Sequence, residues 1–579
     1  MKKVVSFLFY SCFLLQEPAV AQQISFSTSS PLLTQKVDSV FSDWNTLNTP
    51  GGAIAIIYQG NVLLRKGYGM AHVRRKIPIT TTSLFNIASM AKQFTATCIA
   101  LLEEQGKLSF DDDINRFFPQ FQLKKPVTIR HLVSHTSGLR EGYVLAALSG
   151  KVNLKGRVKK SYNTVEHLTH LMAQQHDLNF SPGEEFAYTN INYVLLGEIV
   201  RTASGLSLSE YADQHIFKPL GMQHTYFNGP GATHHPDRAI PYQYTDPAKG
   251  VFRPGSIQND QGVIGDNNLI TSVDDLILWS QNFDNNRLGA HKAALLKTLQ
   301  TRYVLTSGDT THYAFGLNVT PYRDVVSVGH GGDDARYTSL MVRFPSHQLA
   351  IICLANRSVY EHTQQKVFAL ANLLLKHPPS PIQPMRTPVR VPFEVAEFKH
   401  YMGRYLGNGL KNRYSFREVF IRNGKPYVSF QAQSKNNGFE LVPIGNQHYT
   451  FKVDEPAIYV ESWFTKSAAG GYQLMEQFKT DTVGYDKMAT SLRLDPELTK
   501  YAGTYTSQEL GGSHLRAKVT RHGLTLVRGV VRIKTIPVGQ DTFYAAENRA
   551  LFHFKKDASG LVTHFLIDAA DFRHVKFSR

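Results

Sequence analysis

A serine and a lysine three residues apart, Ser89 and Lys92, have the types and spacing of a nucleophile and its base. If they open a helix, this separation puts both side chains on one face, within reach of each other. A serine hydroxyl is a poor nucleophile at neutral pH, but a lysine whose pKa is lowered by burial or by neighbouring cations can accept its proton. A helix start would also direct free backbone N–H groups toward a developing oxyanion. The alternative is a capping serine followed by an exposed lysine.

Two further stretches carry side chains suited to the same chemistry. Tyr188 and Asn190 lie two residues apart, and a phenol beside an ammonium group can act as an acid or a base while the amide orients the lysine. The alternative is a packed aromatic residue followed by a helix cap. His330 precedes Gly331 and Gly332 on a predicted strand, where glycines let the backbone approach a substrate closely. The alternative there is a turn.

Together these motifs and their flanks resemble the serine β-lactamase and penicillin-binding-protein superfamily, and most of all its class C β-lactamase branch. The resemblance covers about residues 37–375 and includes three further markers, which are Val127–Leu139, Ser181–Gly183 and Pro219–Met222. It implies an α+β fold, with a β-lactamase/transpeptidase-like antiparallel sheet flanked by helices. It also implies that His135, inside the first of these markers, belongs to a structural loop and not to the site.

The resemblance assigns a role to each residue of the first two motifs. It makes Ser89 the acylated nucleophile and Lys92 its principal base. Tyr188 would pass the proton to the leaving group and then activate the deacylating water, with Asn190 aligning the lysine and the substrate. The family chemistry requires no metal and no cofactor.

The third motif is where the sequence departs from the family. His330 stands where many members carry lysine, and where D-aminopeptidases and several esterases carry histidine. The oxyanion hole would combine the nucleophile's own N–H with that of Asp333, just past Gly332. Asp333 and Asp334 would repel an anionic substrate such as a β-lactam and favour an amine, unless Arg336, which replaces a common glycine, compensates them. Alternatively, the three charged residues pair with one another on a surface turn.

The elements that must position these residues can be predicted from the apolar pattern. Residues 53–58 and 62–68 predict a hairpin, and residues 89–105 predict a mostly buried helix. Further helices are predicted at 192–203, 207–215, 273–282 and 361–376, and strands at 314–319, 325–329, 338–344 and 348–355. Strands at both ends with helices between them indicate an antiparallel sheet completed by distant parts of the chain, which is an α+β arrangement.

The C-terminal part of the chain is predicted to be all β. A proline-rich linker at 377–393 separates a hydrolase domain at 22–376 from two repeats at 394–490 and 491–579. The repeats share a Tyr-x-Gly-x-Tyr core, at Tyr401–Tyr405 and at Tyr501–Tyr505. Many short alternating strands indicate two small β-barrels, and a single larger sandwich is the alternative.

The N-terminus and the composition predict an exported protein. Residues 1–21 have the charged start, the apolar run and the small-residue cleavage site of a secretory signal peptide, so we expect a periplasmic or secreted protein. Cys98 and Cys353 lie in apolar runs and are predicted to be buried free thiols. The formal net charge of +17 is spread along the chain, which favours anionic cell-envelope polymers over nucleic acid as a partner. The sequence leaves the oligomeric state open.

These patterns lead to one functional hypothesis with several rivals. The hypothesis is an exported serine hydrolase that forms an acyl-enzyme on Ser89 and cleaves amide bonds of small D-amino-acid-containing peptides or peptidoglycan fragments. A carboxylesterase or a β-lactamase of the same superfamily is the nearest alternative, since a likeness of fold cannot choose among an amide, an ester and a β-lactam substrate. An envelope-binding protein with a vestigial site is an alternative of a different class.

Overall fold

The structure, a computed structural model, describes most of the chain. The described residues are 31–149, 164–229, 235–246, 251–255, 257, 263–334, 336–375, 391–407, 415–430, 438–453, 458–467, 471–478, 481–488, 496–520, 523–529, 531–545, 549–569 and 571–579. The predicted signal peptide and most of the predicted linker lie outside these residues. The predicted domain boundaries therefore stay a prediction. Residues 31–375 are called the N-terminal domain below.

The N-terminal domain is built on a six-stranded antiparallel sheet in the order β10-β11-β12-β13-β1-β2. Its strands are β1 (Gly52–Tyr58), β2 (Asn61–Tyr68), β10 (Asn318–Tyr322), β11 (Val325–Asp333), β12 (Thr338–Phe344) and β13 (Leu349–Ala355). Short strands outside it are β3 (Met70–His72), β4 (Ile77–Pro78), β5 (Phe85–Asn86), β6 (Tyr226–Phe227), β7 (Tyr242–Asp246), β8 (Val251–Pro254) and β9 (Leu269–Thr271). Because β1 pairs with both β2 and β13, the two ends of the domain complete one sheet, as predicted.

Helices cover both faces of this sheet. They are α1 (Pro31–Val40), α2 (Lys92–Glu104), α3 (Ile129–Val133), α4 (Gly142–Leu148), α5 (Val165–Ala173), α6 (Asn190–Ser204), α7 (Leu208–Ala212), α8 (Lys218–Leu220), α9 (Val273–Asn282), α10 (Lys292–Gln300) and α11 (Tyr360–Leu374). Alternate residues of β1 belong to two different apolar clusters. Ala53 and Ala55 face the cluster that includes α2, and Ile54 and Ile56 face the cluster that includes α1 and α11. The sheet is therefore the middle layer of three.

One predicted strand is wrong in its position. The stretch 314–319 was expected to be extended, but β10 begins only at Asn318. Gly316 has a φ of +70° and lies against the backbone of Lys92 and Gln93, where a Cβ would be about 2.5 Å from the nearest atom. A left-handed residue interrupts a strand, so this stretch forms a loop that packs over the start of α2.

Two nine-stranded, nearly closed barrels follow, and the alternative of one larger sandwich is wrong. The first barrel, preceded by α12 (Val395–Phe398), contains β14 (Gly403–Gly407), β15 (Phe416–Arg422), β16 (Lys425–Ser429), β17 (Phe439–Glu440), β18 (Val442–Gly445), β19 (His448–Val453), β20 (Ile458–Lys466), β21 (Tyr472–Phe478) and β22 (Asp481–Lys487). The second barrel contains β23 (Gly503–Ser507), β24 (Ser513–Thr520), β25 (Gly523–Arg528), β26 (Val531–Lys534), β27 (Ile536–Gly539), β28 (Thr542–Ala545), β29 (Ala550–Lys556), β30 (Val562–Ala569) and β31 (Phe572–Ser578). Both sheets have the same strand order, since β17-β16-β15-β14-β22-β21-β20-β19-β18 corresponds one to one with β26-β25-β24-β23-β31-β30-β29-β28-β27.

One other prediction concerns burial. Cys98 and Cys353 are buried free thiols, as expected, and burial raises the pKa of Cys98 and Cys353. Among the described residues, no helix is both long enough and apolar enough to cross a membrane.

Candidate active site

Ser89 lies in a tight turn at the start of the central helix. A 3₁₀ turn at Ala88–Ala91 precedes α2, and Ala88 adopts a left-handed φ of +47°. The Ala88 N–H donates to the Asn86 side chain at 2.9 Å, which holds this strained residue in place. The first amide bonded within the turn is that of Met90, which donates to the Ile87 carbonyl at 3.1 Å. The N–H of Ser89 therefore lies before the hydrogen-bonded part of the turn, as an oxyanion donor requires.

Lys92 is the first residue of α2, and its amine is fully buried. Its Nζ lies 3.0 Å from the Ser89 Oγ, 2.9 Å from the Asn190 Oδ1 and 2.8 Å from the Asp266 backbone oxygen. An ammonium group has three donors, so each N–H has one acceptor. Among these acceptors only the Ser89 hydroxyl also has a proton to give. A neutral Lys92 amine can therefore take a proton from Ser89 and from neither of the other two groups.

A buried carboxyl group, which the sequence argument did not single out, lies beside this lysine. The Asp266 side chain is 1% exposed, contacts the Tyr143 hydroxyl at 3.3 Å and accepts from the Asn267 amide at 3.2 Å. Burial raises the pKa of Asp266, and the charge of Lys92 acts in the opposite direction. Asp266 thus places a second titratable group against the nucleophile's base. Its only sequence signal is an acidic residue between apolar elements, which is too common to be informative.

Asn190 is brought to Lys92 by the start of α6. Thr189 is the N-cap residue but makes no capping bond with its own side chain. Instead, the buried Glu141 carboxylate accepts the Asn190 N–H at 2.6 Å and the Thr189 hydroxyl at 3.0 Å. Burial raises the pKa of Glu141, and these hydrogen bonds offset part of that effect. The sequence carries no signal for this role of Glu141, because Thr189 and Asn190 are 48 and 49 residues away.

Tyr188 lies at the edge of the site and is 38% exposed. Its ring centroid is 5.0 Å from the Lys92 Nζ. On its other side the ring packs against the His135 imidazole, with centroids 4.2 Å apart. The His135 side chain is completely buried, and burial, together with the charge of Lys92, holds the pKa of His135 well below its usual value. His135 therefore supports Tyr188 as a neutral packing partner, a closer role than its predicted place in a structural loop implied.

His330 lies on β11 as a neutral side chain. Its Nδ1 is 2.6 Å from the Gly331 carbonyl and its Nε2 is 2.9 Å from the Tyr313 hydroxyl. A carbonyl only accepts, so Nδ1 carries the proton and Nε2 accepts from the tyrosine. Burial lowers the pKa of His330 to about 3, with a further contribution from the charge of Lys92. His330 therefore does not supply the positive charge that a lysine at this place would carry.

Gly332 serves the protein's own backbone. A Cβ at this position would lie 2.0 Å from the Ile87 carbonyl oxygen. Ser339 on β12 donates to the same oxygen at 2.7 Å. Because Gly332 has no side chain, β11 can pack directly against the segment that carries the nucleophile.

A cleft of about 340 Å³ opens onto Ser89. Its lining residues are Ala88, Ser89, Tyr143, Asn190, Asp266, Asn267, Asp333 and Asp334. The lining is therefore acidic, and no described lining residue is lysine or arginine. Asp334 lies at the exposed rim of the cleft. Partial loss of hydration beside the protein raises the pKa of Asp334, and the neighbouring Asp333 carboxylate adds to this effect.

Arg336 does not belong to this lining. Its guanidinium and Cδ pack against Gly255, the residue after β8, where a Cβ would lie 2.7 Å from the Arg336 Cδ. The structure thus brings Ser89, Lys92, Tyr188 and Asn190 together, with Asp333 at the rim of the same cleft, and leaves the Arg336 side chain beside it. Among the described residues, no group of three or more His, Cys, Asp or Glu side chains is arranged to hold a metal ion.

Comparisons with known proteins identify the family of the chain. Residues 37–376 match the family model described as Beta-lactamase. The chain is 28% identical over 447 residues to penicillin-binding protein 4* of Bacillus subtilis (strain 168), covering 73% of this chain and 92% of that protein. It is 30% identical over 341 residues to a D-aminopeptidase of Gluconobacter oxydans (strain 621H), covering 58% of this chain and 61% of that protein.

A solved structure extends the likeness beyond the first domain. The octameric penicillin-binding protein homologue from Pyrococcus abyssi is 27% identical, with a TM-score of 0.54, and the match covers 79% of this chain and 99% of that one. The matching family model spans more than half of the chain, and Ser89, Lys92 and Asn190 are hydrogen-bonded together at the cleft. The chain belongs to the beta-lactamase family of serine hydrolases.

Proposed function

We propose that the protein is an exported serine hydrolase that acylates Ser89 and cleaves amide bonds of short D-amino-acid-containing peptides or peptidoglycan fragments. The observation that carries the proposal is the hydrogen bonding of Lys92 to Ser89 and Asn190 at the floor of an acidic cleft. This arrangement supplies a nucleophile, a base with a single proton donor and a fixed orientation for both.

In the proposed reaction, the Ser89 Oγ transfers its proton to the Lys92 Nζ and attacks the carbonyl carbon of the substrate. The oxyanion accepts hydrogen bonds from the N–H groups of Ser89 and Asp333. Tyr188 passes a proton to the departing amine as the C–N bond breaks, which leaves an ester on Ser89. Tyr188 then takes a proton from water, and the hydroxide attacks the ester. As the carboxylic acid leaves, the Ser89 Oγ recovers its proton from the Lys92 Nζ, which restores the starting state.

The charge of the cleft supports an amine-bearing substrate. Asp266, Asp333 and Asp334 line the cleft, and His330 is neutral at physiological pH because its pKa is about 3. A substrate ammonium group would be attracted to the exposed Asp333 and Asp334 carboxylates at the rim, whereas the carboxylate of a β-lactam would be repelled. The volume of about 340 Å³ suits a small ligand. The identity to a D-aminopeptidase is consistent with this choice.

A fluorescent acylating probe tests the chemistry. We expect the wild-type protein to be labelled covalently and Ser89→Ala to remain unlabelled. The substrate class is then ranked by turnover of D-alanine p-nitroanilide, its L-enantiomer, a p-nitrophenyl ester and a chromogenic cephalosporin. We expect the D-anilide to have the highest kcat/KM. A higher kcat/KM for the simple ester would identify a carboxylesterase, and for the cephalosporin a β-lactamase. Absence of both labelling and turnover would leave only the envelope-binding alternative.

Export is the second part of the proposal. It is supported by the sequence of residues 1–21, which has the organisation of a signal peptide. N-terminal sequencing of the protein from a host that secretes it should find a mature chain beginning near Gln22. A chain that retains Met1 and stays in the cytoplasm would contradict this part and leave the hydrolase chemistry untouched.

A further inference from the structure

Glu141 connects the second barrel to the active site. Its N–H donates to the Asp571 carbonyl, 3.0 Å away, in the hairpin that joins β30 to β31. Its carboxylate accepts from the Asn190 N–H at 2.6 Å, from the Thr189 hydroxyl at 3.0 Å and from the Tyr143 N–H at 3.2 Å. One residue therefore binds the barrel through its backbone and the start of α6 through its side chain.

The position of α6 depends on this carboxylate. The first amides of a helix have no partners within the helix, and the Thr189 side chain makes no capping bond of its own to them. A carboxylate at this end satisfies an amide and also interacts favourably with the helix dipole. Glu141 therefore helps to fix where α6 begins, and hence where Asn190 presents its Oδ1 to the Lys92 Nζ at 2.9 Å.

The second barrel holds the main chain around Glu141 through several polar contacts. The neighbouring Arg140 side chain is completely buried and forms an ion pair with Glu509 of the barrel. Gln175 accepts from Arg140 at 2.6 Å and donates to the Glu509 carbonyl at 2.8 Å. Two residues after Asp571, the Arg573 side chain of the barrel donates to the Glu185 carboxylate of the N-terminal domain at 2.7 Å. The segment at 140–141 is thus held between the barrel on one side and the start of α6 on the other.

We propose that Glu141 is a positioning residue, through which the docked second barrel keeps Asn190 and Lys92 in register with Ser89. This inference rests on the proposed function, since it assumes that Lys92 is the base for Ser89. The second barrel would then contribute to catalysis, although none of its described residues contacts the reacting atoms. Loosening its hairpin would reduce the rate of acylation by displacing Asn190 and Lys92, although neither side chain is replaced.

The test compares Glu141→Gln with Glu476→Gln in the full-length protein. Glu476 is 4% exposed and accepts two hydrogen bonds from Arg417, each of 2.8 Å, within the first barrel, so it is a matched buried carboxylate. Glu141→Gln places an NH₂ group against an N–H donor. We expect kcat for the D-anilide to fall by about 10- to 100-fold, the cost of displacing reacting groups by up to an ångström. KM should change less, because the acidic residues Asp333 and Asp334 of the cleft do not contact Glu141 and stay in place. Glu476→Gln should keep the wild-type kcat.

A second readout does not depend on turnover. In protein labelled with ¹³C at the lysine Cε, the Lys92 resonance, assigned with Lys92→Arg, should shift in Glu141→Gln and stay unchanged in Glu476→Gln. The barrel side is tested by Arg573→Met, which should move the same resonance in the same direction but by less. An unchanged Lys92 resonance in Glu141→Gln would overturn the inference even if the wild type is active. If the wild type fails to acylate Ser89, the proposed function fails, while the resonance still decides the positioning role.

Discussion

The two barrels have one strand order but differ in what they pack against. In each, the last tyrosine of the Tyr-x-Gly-x-Tyr core donates to a carbonyl four residues earlier, Tyr405 to Tyr401 at 2.6 Å and Tyr505 to Tyr501 at 2.9 Å. The first barrel has a separate apolar cluster, whereas the second barrel shares one continuous cluster with the N-terminal domain. Of two barrels with the same fold, the second therefore packs against the domain that carries the active site through a shared apolar core, and the first has a core of its own.

The difference comes from residues at the ends and edges of strands. The second barrel reaches the N-terminal domain through Glu509, Arg528, Asp571 and Arg573. None of these belongs to the repeated Tyr-x-Gly-x-Tyr core. Docking can therefore change while the barrel fold is kept, because the fold depends on the repeated buried positions, whereas these polar docking contacts come from turns and strand ends.

The largest effect should come from truncating one matched aromatic residue in each barrel. Phe554 packs against Tyr501 and Tyr505, and Phe464 packs against the corresponding Tyr401 and Tyr405. Each change to alanine should cost its barrel about 3–5 kcal/mol of unfolding free energy. Because the core of the second barrel continues into the N-terminal domain, only Phe554→Ala should also lower the urea concentration at which Ser89 labelling is lost. An equal shift in Phe464→Ala would show that both barrels support the site.

Much of the fold could be predicted from the sequence because the pattern is local. The apolar runs of β1, β12 and β13 are buried on both faces, and continuous runs of this kind predict strands well. Residues 314–317 are also apolar apart from Gly316, but they form a loop, because Gly316 packs in a left-handed conformation against the start of α2. Such an approach depends on a distant segment, which no local pattern contains.

The residues of the site also fall into those that local spacing predicts and those that it does not. Ser89 and Lys92 are three residues apart, and a helix start is enough to bring them together. Glu141 meets Asn190, and Asp266 meets Tyr143, only through the tertiary fold. An isolated acidic residue gives no sign of burial. Arg336 shows the converse, because its sequence position suggested a place in the cleft but its side chain packs against Gly255. Proximity along the chain predicts a contact within a turn of helix, but it does not predict the direction of a side chain on a loop.

An intermediate effect should come from the contact between the second barrel and α4. The Arg528 guanidinium donates to the carbonyls of Ala147 and Leu148 at the end of that helix, where a positive charge is favourable. Arg528→Met should cost about 1–2 kcal/mol of stability. It should also lower kcat, because α4 begins beside Glu141. The fall should be smaller than the roughly 100-fold expected for a displacement of a full ångström.

The matched change in the first barrel separates stability from activity. Arg417 forms two hydrogen bonds with the buried Glu476, and removing one partner of such a pair should cost about 3–5 kcal/mol. Arg417→Met should therefore destabilise its barrel more than Arg528→Met destabilises the second barrel, yet leave kcat unchanged. Unfolding followed by hydrogen exchange in each barrel, with kcat measured on the folded protein, decides this. A fall in kcat that follows stability loss in both variants would contradict a special role for the second barrel.

The smallest expected effect distinguishes the two barrels by pH. The β18–β19 and β27–β28 hairpins have the same register shift, and their turns place Gln447 and Asp541 at matching positions. Gln447 accepts the Tyr401 hydroxyl at 3.0 Å, whereas Asp541 accepts the Tyr501 hydroxyl and pairs with Lys556 at 2.8 Å. Burial alone would raise the pKa of Asp541, but the bonds from Lys556 and Tyr501 hold that pKa below its usual value.

A carboxyl group whose folded pKa is lowered stabilises the protein above its unfolded pKa, and this contribution is lost as the pH falls through the folded pKa. Asp541→Asn should therefore cost the second barrel up to about 1 kcal/mol at pH 7, and the difference from the wild type should shrink below about pH 4. Gln447 does not titrate, so Gln447→Asn should have the same effect at both pH values. Hydrogen exchange of the β27–β28 and β18–β19 hairpins measures both differences. A pH-independent cost of Asp541→Asn would mean that the Tyr501 contact depends on geometry alone and that the two hairpins are equivalent in their electrostatics.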